Sequence, residues 1–271
     1  MAKYNKKRAR ELKQDKFRDT TMGLFDRIGD RLEGKGRSIL YAIAAIVGLG
    51  LIFGLWSWRS ARKTDEASRA LGRAIEISTA PVTPQPSPGS TALSFTSEKE
   101  RAQRAVEEFQ KVANKYSGAT RENAQYFIAT NLLSVDHDKG ISELEALTKS
   151  GDAKIATLAR FALAQAREAD AQYDAAAALY SELARQNSEF VPVETANLRL
   201  ATVYDKLGKK KEAADLLFSI VQTARQAKDK DGKAVPQPSA AREAAQKLEK
   251  IDPDRYAQLP PEPPPDNDLA L

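Results

Sequence analysis

The chain has one histidine and no cysteine, and these two counts limit its chemistry at once. His137 stands in Val135-Asp136-His137-Asp138, where an imidazole between carboxylates could serve acid–base work or hold part of a metal ion's shell. A protein zinc site takes three or four ligands, and no second imidazole or thiolate exists to complete one. A histidine in a turn is the expectation. Thiol catalysis, disulfides, Cys-ligated zinc and a lipid-bearing cysteine are excluded. Neither a P-loop nor a Gly-rich dinucleotide fingerprint occurs. Carboxylates instead alternate with Lys and Arg along helix faces, the pattern of a solvated surface. The sequence therefore reads as no enzyme, with no metal and no cofactor.

What remains is the chemistry of holding another polypeptide, and for that the side chains must be set on a scaffold. Two stretches follow the helix-turn-helix pattern of tetratricopeptide repeats. One runs Leu200-Ala201, Tyr204, Gly208, then Ala213, Leu217 and Ile220; the other Leu163-Ala164, Tyr173, then Ala176, Tyr180 and Leu183. Ala176 and Ala213 are 37 positions apart. A weaker copy has Phe127-Ile128 followed by Gly140, Leu144 and Leu147, with Gly140 lying 36 before Ala176. Upstream, Ala105, Phe109 and Val112 carry the second-helix pattern alone, 35 before Gly140. Small residues such as Ala164, Ala176, Ala201 and Ala213 suit the crossing points of helices that approach closely. Phe109, Leu144, Tyr180 and Leu217 are expected to fill the space between successive pairs.

The apolar i, i+3, i+4 spacing predicts helices over 98–116, 119–135, 139–149, 152–170, 173–187, 193–207 and 209–227. A last one from Ser239 to Ile251 would cap the stack. Ser97 and Asp152 are candidate N-caps, and Gly118, Gly151 and Gly208 fall where helices should end. The fold class is thus all-α, an α-solenoid of tetratricopeptide-like hairpins over 98–251 that needs its neighbours because no single pair buries its apolar face. On this alignment the groove-facing positions of the first helices are Gln165 and Glu168 in one repeat and Thr202 and Asp205 in the next.

Ahead of the repeats, Ser38–Trp58 runs 21 residues without a charge, roughly 30 Å of helix and so the thickness of a bilayer core. Trp56 and Trp58 at one end and Tyr41 at the other suit the headgroup level. No small-x-small cleavage site follows, so the segment reads as a transmembrane anchor and not as a removable leader. Residues 1–37 carry 12 Lys/Arg against 6 Asp/Glu, leaving for the remainder 30 of the 42 basic and 31 of the 37 acidic residues. The basic excess therefore belongs to the tail. The near-neutral remainder argues against nucleic acid as a partner, since that needs a clustered basic face.

The two flanks of the span are level in charge, and the distal tail from Lys3 to Lys16 tips the orientation toward a cytoplasmic N-terminus with the repeats outside. Within that tail, residues 21–33 have the spacing of an interfacial helix on membrane lipid. Residues 59–79 continue as a helix from the span, with Ala67, Ala70, Leu71, Ala74 and Ile75 on one face as a partner for the Ala105 helix. Residues 80–97 read as a Pro-rich connector, and residues 252–271 as a disordered Pro-rich tail.

The order of these parts resembles the YfgM-like bacterial inner-membrane proteins, which set a tetratricopeptide-like domain behind one anchor. The resemblance rests on Leu55-Trp56-Ser57-Trp58-Arg59 at the end of the span, on Ala67-Ser68-Arg69-Ala70 after it, and on Leu198-Arg199-Leu200-Ala201. It covers roughly residues 35–225. It implies an inner-membrane protein ancillary to the Sec translocon and its periplasmic chaperones, acting as a scaffold or chaperone-like adaptor for protein partners. The basic tail, the proline connector and the proline-rich end depart from that pattern. The alternative is an envelope-organising protein that self-associates, for which Ala42, Ala45, Gly48 and Gly50 supply small residues on the span.

Overall fold

The computed structural model describes residues 65–83 and 93–262. The basic tail, its interfacial segment at 21–33, the 38–58 span, the centre of the connector at 84–92 and residues 263–271 lie outside the described residues. The chain divides into two compact units, Met1–Glu66 and Ala67–Leu271, and the second holds the helical array. Every regular element among the described residues is a helix, in agreement with the all-α reading. No helix among them is long and apolar enough to cross a membrane.

We number the helices in chain order. Residues 65–79 form α1. Then come α2 (Glu98–Lys115), α3 (Ala119–Val135), α4 (His137–Leu147), α5 (Ala153–Ala169) and α6 (Tyr173–Gln186). The series closes with α7 (Val193–Lys206), α8 (Lys210–Gln226), α9 (Ser239–Ile251) and a single turn, α10 (Pro253–Tyr256). Side chains start several of them by taking up backbone N–H groups that a helix start leaves without partners. The Ser97 hydroxyl accepts from the Glu100 N–H at 3.2 Å, and the Asp152 carboxylate from those of Lys154 and Ile155 at 2.8 and 3.3 Å. Asp136 and Asp252 do the same for α4 and α10.

The core is divided into four clusters in chain order, each centred on one even-numbered helix. Around α2, Ala105, Phe109 and Val112 meet Ala74 of α1 and Ala124 of α3. Around α4, Ile141 and Leu144 meet Ala129 of α3 and Ala159, Ala162 and Leu163 of α5. Around α6, Tyr180 and Leu183 lie between Ala164 of α5 and Ala196, Leu200 and Val203 of α7. Around α8, Leu217, Ile220 and Val221 lie between Ala201 of α7 and Ala241, Ala244 and Leu248 of α9. Phe109, Leu144, Tyr180 and Leu217 are each 0% exposed, as are Ala164, Ala176, Ala201 and Ala213. Fully burying an aliphatic or aromatic side chain contributes about 1.5–3 kcal/mol, so each even-numbered helix is held chiefly by its own neighbours.

The odd-numbered helices also touch one another across the even ones: α3 meets α5 and α7 meets α9. Among α2, α4, α6 and α8 there is no comparable contact. At these two places the first helices of successive pairs stand closer together than the second helices do.

The chain termini of this unit differ from the sequence expectation. Residues 252–262 belong to the folded unit and are not part of a disordered tail. Pro253 fits the first helical position, where its missing N–H costs nothing, and Tyr256 and Leu259 pack against the α8 cluster. Arg255 pairs with Asp215 and lies over the Phe218 ring, while Arg225 donates to the Pro260 carbonyl at 2.6 Å. The connector is also pinned at both ends. Thr83 N–H donates to the Phe95 carbonyl at 2.8 Å and Phe95 N–H to the Pro81 carbonyl at 3.1 Å, with Ala80 and Phe95 buried.

Candidate functional site

Of the four groove positions read from the sequence, the structure brings two to one place. Thr202 and Asp205 of α7 line a cavity of about 200 Å³ that α9 closes on the other side with Lys247, Lys250 and Ile251. Its floor is Ala201 and Leu217, residues of the α8 cluster. Thr202 donates its hydroxyl proton to the Leu198 carbonyl one turn back, at 2.9 Å, which leaves the oxygen's lone pairs facing outward. Asp205 is half-buried, and its carboxylate has no hydrogen bond or ion pair among the described residues. Nor has the Lys250 ammonium. Lys247 reaches only Glu243, on its own helix, at 3.6 Å.

The other two positions lie elsewhere. Gln165 is exposed on α5 and does not line this cavity. Glu168 serves the hairpin itself: its carboxylate accepts the Tyr180 hydroxyl at 2.8 Å and stands 3.9 Å from Arg199 of α7. The cause is the residue chosen at the core position. Phe109, Leu144 and Leu217 need no polar partner there, but a buried tyrosine must place its hydroxyl. Burial, and then the bond to Glu168, holds the Tyr180 phenol well above its ordinary pKa. Phe161 meets the same ring edge to face, with centroids 5.9 Å apart.

Sequence reasoning missed Lys247, Lys250 and Ile251, because it took Ser239–Ile251 only as a cap. The available signal was the ridge Ala241, Ala244 and Leu248, all buried against α8. Lys247, one place before Leu248, and Ile251, three after it, lie at the edge of that ridge.

A second cavity, of about 190 Å³, lies on the other set of helices, between α2 and α4 over α3. Gln110, Asn114, Gln125, Arg121, Lys139 and Glu143 line it. His137 belongs to neither cavity. It opens α4 and places Nε2 2.9 Å from Asp170 at the end of α5, tying the α3–α4 corner to the α5–α6 turn. That hydrogen bond raises the imidazole above its ordinary pKa of 6.5. Among the described residues no group of His, Asp and Glu is placed to hold a metal ion.

No protein-family model, curated protein or solved structure matches the chain. The geometry of the α7–α9 groove therefore has to carry the functional reading by itself.

Proposed function

We propose that this protein is a membrane-anchored scaffold whose helical array, a tetratricopeptide-like solenoid, holds protein partners in the groove of its odd-numbered helices. The observation that supports it is the α7–α9 cavity. There α7 and α9 meet across α8 and leave an apolar floor, with Asp205 and Lys250 on its rim unpaired among the described residues. Four clusters stacked in chain order suit such a solenoid, because each repeat then contacts only its neighbours. The charge-free run Ser38–Trp58 supplies the anchor, and the basic tail holds anionic lipid on the cytoplasmic side. On the YfgM-like resemblance the partner is an export component, a part of the Sec translocon or a periplasmic chaperone, and the array stands outside the cytoplasm at the inner membrane.

The test is photo-crosslinking from Asp205, and separately from Gln165, in intact membranes. A discrete protein adduct from Asp205 and background from Gln165 is the expected outcome. Background from both would sink the scaffold reading. Protease added to spheroplasts should degrade residues 65–262 and spare the tail, and the reverse pattern would overturn the orientation.

A further inference from the structure

We infer that the α7–α9 groove takes an extended polypeptide segment in which an aliphatic side chain is flanked by carboxylates. This rests on the scaffold reading and names the partner's chemistry at the same site. Size sets the first limit. A cavity of about 200 Å³ over Ala201, Leu217 and Ile251 accommodates one aliphatic side chain. It is smaller than the pockets of about 300–1,000 Å³ that enclose whole small-molecule ligands.

The rim gives the backbone its partners. Asp205 accepts only, and Lys250 donates only. They line one cavity, yet neither bonds to the other or to any described residue. An extended backbone presents N–H and C=O groups by turns, so it can donate to Asp205 and the Thr202 oxygen while Lys250 donates to a carbonyl. The groups left over by the fold are the complement of a peptide strand.

Charge selects the side chains. Lys247 and Lys250 stand on the α9 rim, and Lys206, Lys209, Lys210 and Lys211 are all exposed at the α7–α8 turn. Because α7 and α9 flank α8, they run in the same direction, and the ends of both reach this turn's side of the array. The acids nearby are Asp205, Glu212, Glu243, Glu249 and Asp252, five against the six lysines; Glu243 is already paired with Lys247 and Asp252 is engaged in capping α10. The excess is therefore positive around an apolar floor. A phosphate or lipid headgroup fits poorly, since Asp205 would face its oxygens and the floor would stay empty. Residues 257–262 are not the occupant either, because they follow α8 from Asp215 toward Arg225 and Pro260.

The experiment uses the full chain in detergent micelles and four fluorescent synthetic peptides in the same Gly-Ser flanks, with cores Asp-Leu-Asp, Asn-Leu-Asn, Asp-Ser-Asp and Lys-Leu-Lys. Anisotropy should rank Asp-Leu-Asp first, with the neutral and the serine cores each at least about fivefold weaker, roughly 1 kcal/mol. The double variant K247E/K250E, with its helical circular dichroism unchanged, should lose about tenfold or more for Asp-Leu-Asp and gain for Lys-Leu-Lys. Equal binding of the four cores overturns the proposal, as does a charge reversal without effect. Binding of phosphatidylglycerol vesicles in place of peptide, abolished by K247E/K250E, also overturns it. A crosslinker at Thr202 separates the two levels. If the captured segment, once mapped, has no carboxylates, this inference fails and the scaffold reading stands; if neither peptide nor partner is captured, both fail.

Discussion

The α3–α4 hairpin and the α7–α8 hairpin use the same burial scheme with different corners, and the difference shows what sets the spacing of the array. Ala124, Ile128 and Ala129 occupy the places of Ala159, Leu163 and Ala164 in α5 and of Ala196, Leu200 and Ala201 in α7. Between α7 and α8 the chain turns through Leu207, Gly208 and Lys209, with Gly208 at φ 73°. Gly208 N–H donates to Asp205 and Lys209 N–H to Tyr204, the paired bonds that close a helix around a left-handed residue. The α5–α6 turn repeats them through Ala171 and Gln172. Between α3 and α4 only Asp136 intervenes, in an extended conformation, ending one helix with its N–H and starting the next with its carboxylate. The left-handed residue is missing, and α4 is drawn against α3. Gly140 shows the result: a Cβ there would stand 2.7 Å from the Leu133 nitrogen. At the matching positions Ala176 and Ala213 a methyl group fits.

The largest effect should therefore come from Gly140→Ala. A methyl forced against backbone costs about 1–3 kcal/mol, although alanine favours helix by about 0.5–1 kcal/mol over glycine. Hydrogen exchange on the full chain should show protection lost in α3 and α4 and retained in α7 and α8. Adding a glycine after Asp136 lengthens the corner toward the three-residue form, so the double variant should recover part of the lost protection. No recovery would mean that the corner does not set the approach.

A middle-sized pair of effects tests the left-handed position itself. Ala171 holds φ 57° and Gly208 φ 73°, and a residue with a Cβ is disfavoured there by about 1–2 kcal/mol. A Cβ on Gly208 would meet no atom within 4 Å, so any cost of Gly208→Ala is backbone strain and not crowding. Gly208→Ala should destabilise α7–α8 by about 1 kcal/mol, and Ala171→Gly should stabilise α5–α6 by somewhat less. Opposite signs in thermal unfolding are the expected reading; the same sign would break the equivalence of the two turns.

A smaller effect lies at the core position that differs between repeats. Tyr180→Phe leaves Glu168 with only Arg199 nearby and removes one hydrogen bond, a loss of about 0.5–1.5 kcal/mol. The double variant Tyr180→Phe with Glu168→Gln, which sets the residue of position 109 in the core, should recover much of that loss in a mutant cycle, since neither group then needs the other.

These contrasts also mark how far the sequence was legible. Helix positions followed from the apolar spacing to within two residues at either end, because Ala and Leu at i, i+3 and i+4 leave one face to bury. The weak first copy has a physical cause. Matching Phe127-Ile128 directly to Gly140 hides the shortened corner, whereas Ala129, 0% exposed, is the true partner of Ala164. Of the groove positions, Thr202 and Asp205 were legible as the outer face of a first helix. Glu168 was not, since its fate depends on a tyrosine hydroxyl from the next helix. Lys250 was not either, because nothing in α9 alone says which helix stands beside it.

The smallest effect concerns the contact that joins the short corner to the longer turn. His137 and Asp170 are 42% and 29% exposed in their side chains, so solvent screens the pair strongly. The imidazole is raised above 6.5 in the folded chain, first by its hydrogen bond to Asp170. A raised folded value means that the stabilisation is complete below about pH 6.5, the ordinary value, and is lost as pH rises through the folded value. Thermal stability should then fall slightly from about pH 6 to about pH 8, and His137→Gln should remove that slope. Since the chain holds one histidine, its ring protons report the titration without assignment. An imidazole titrating at or below 6.5 would show that the Asp170 bond does not hold in solution. In that case the α3–α4 corner stands on Asp136 alone.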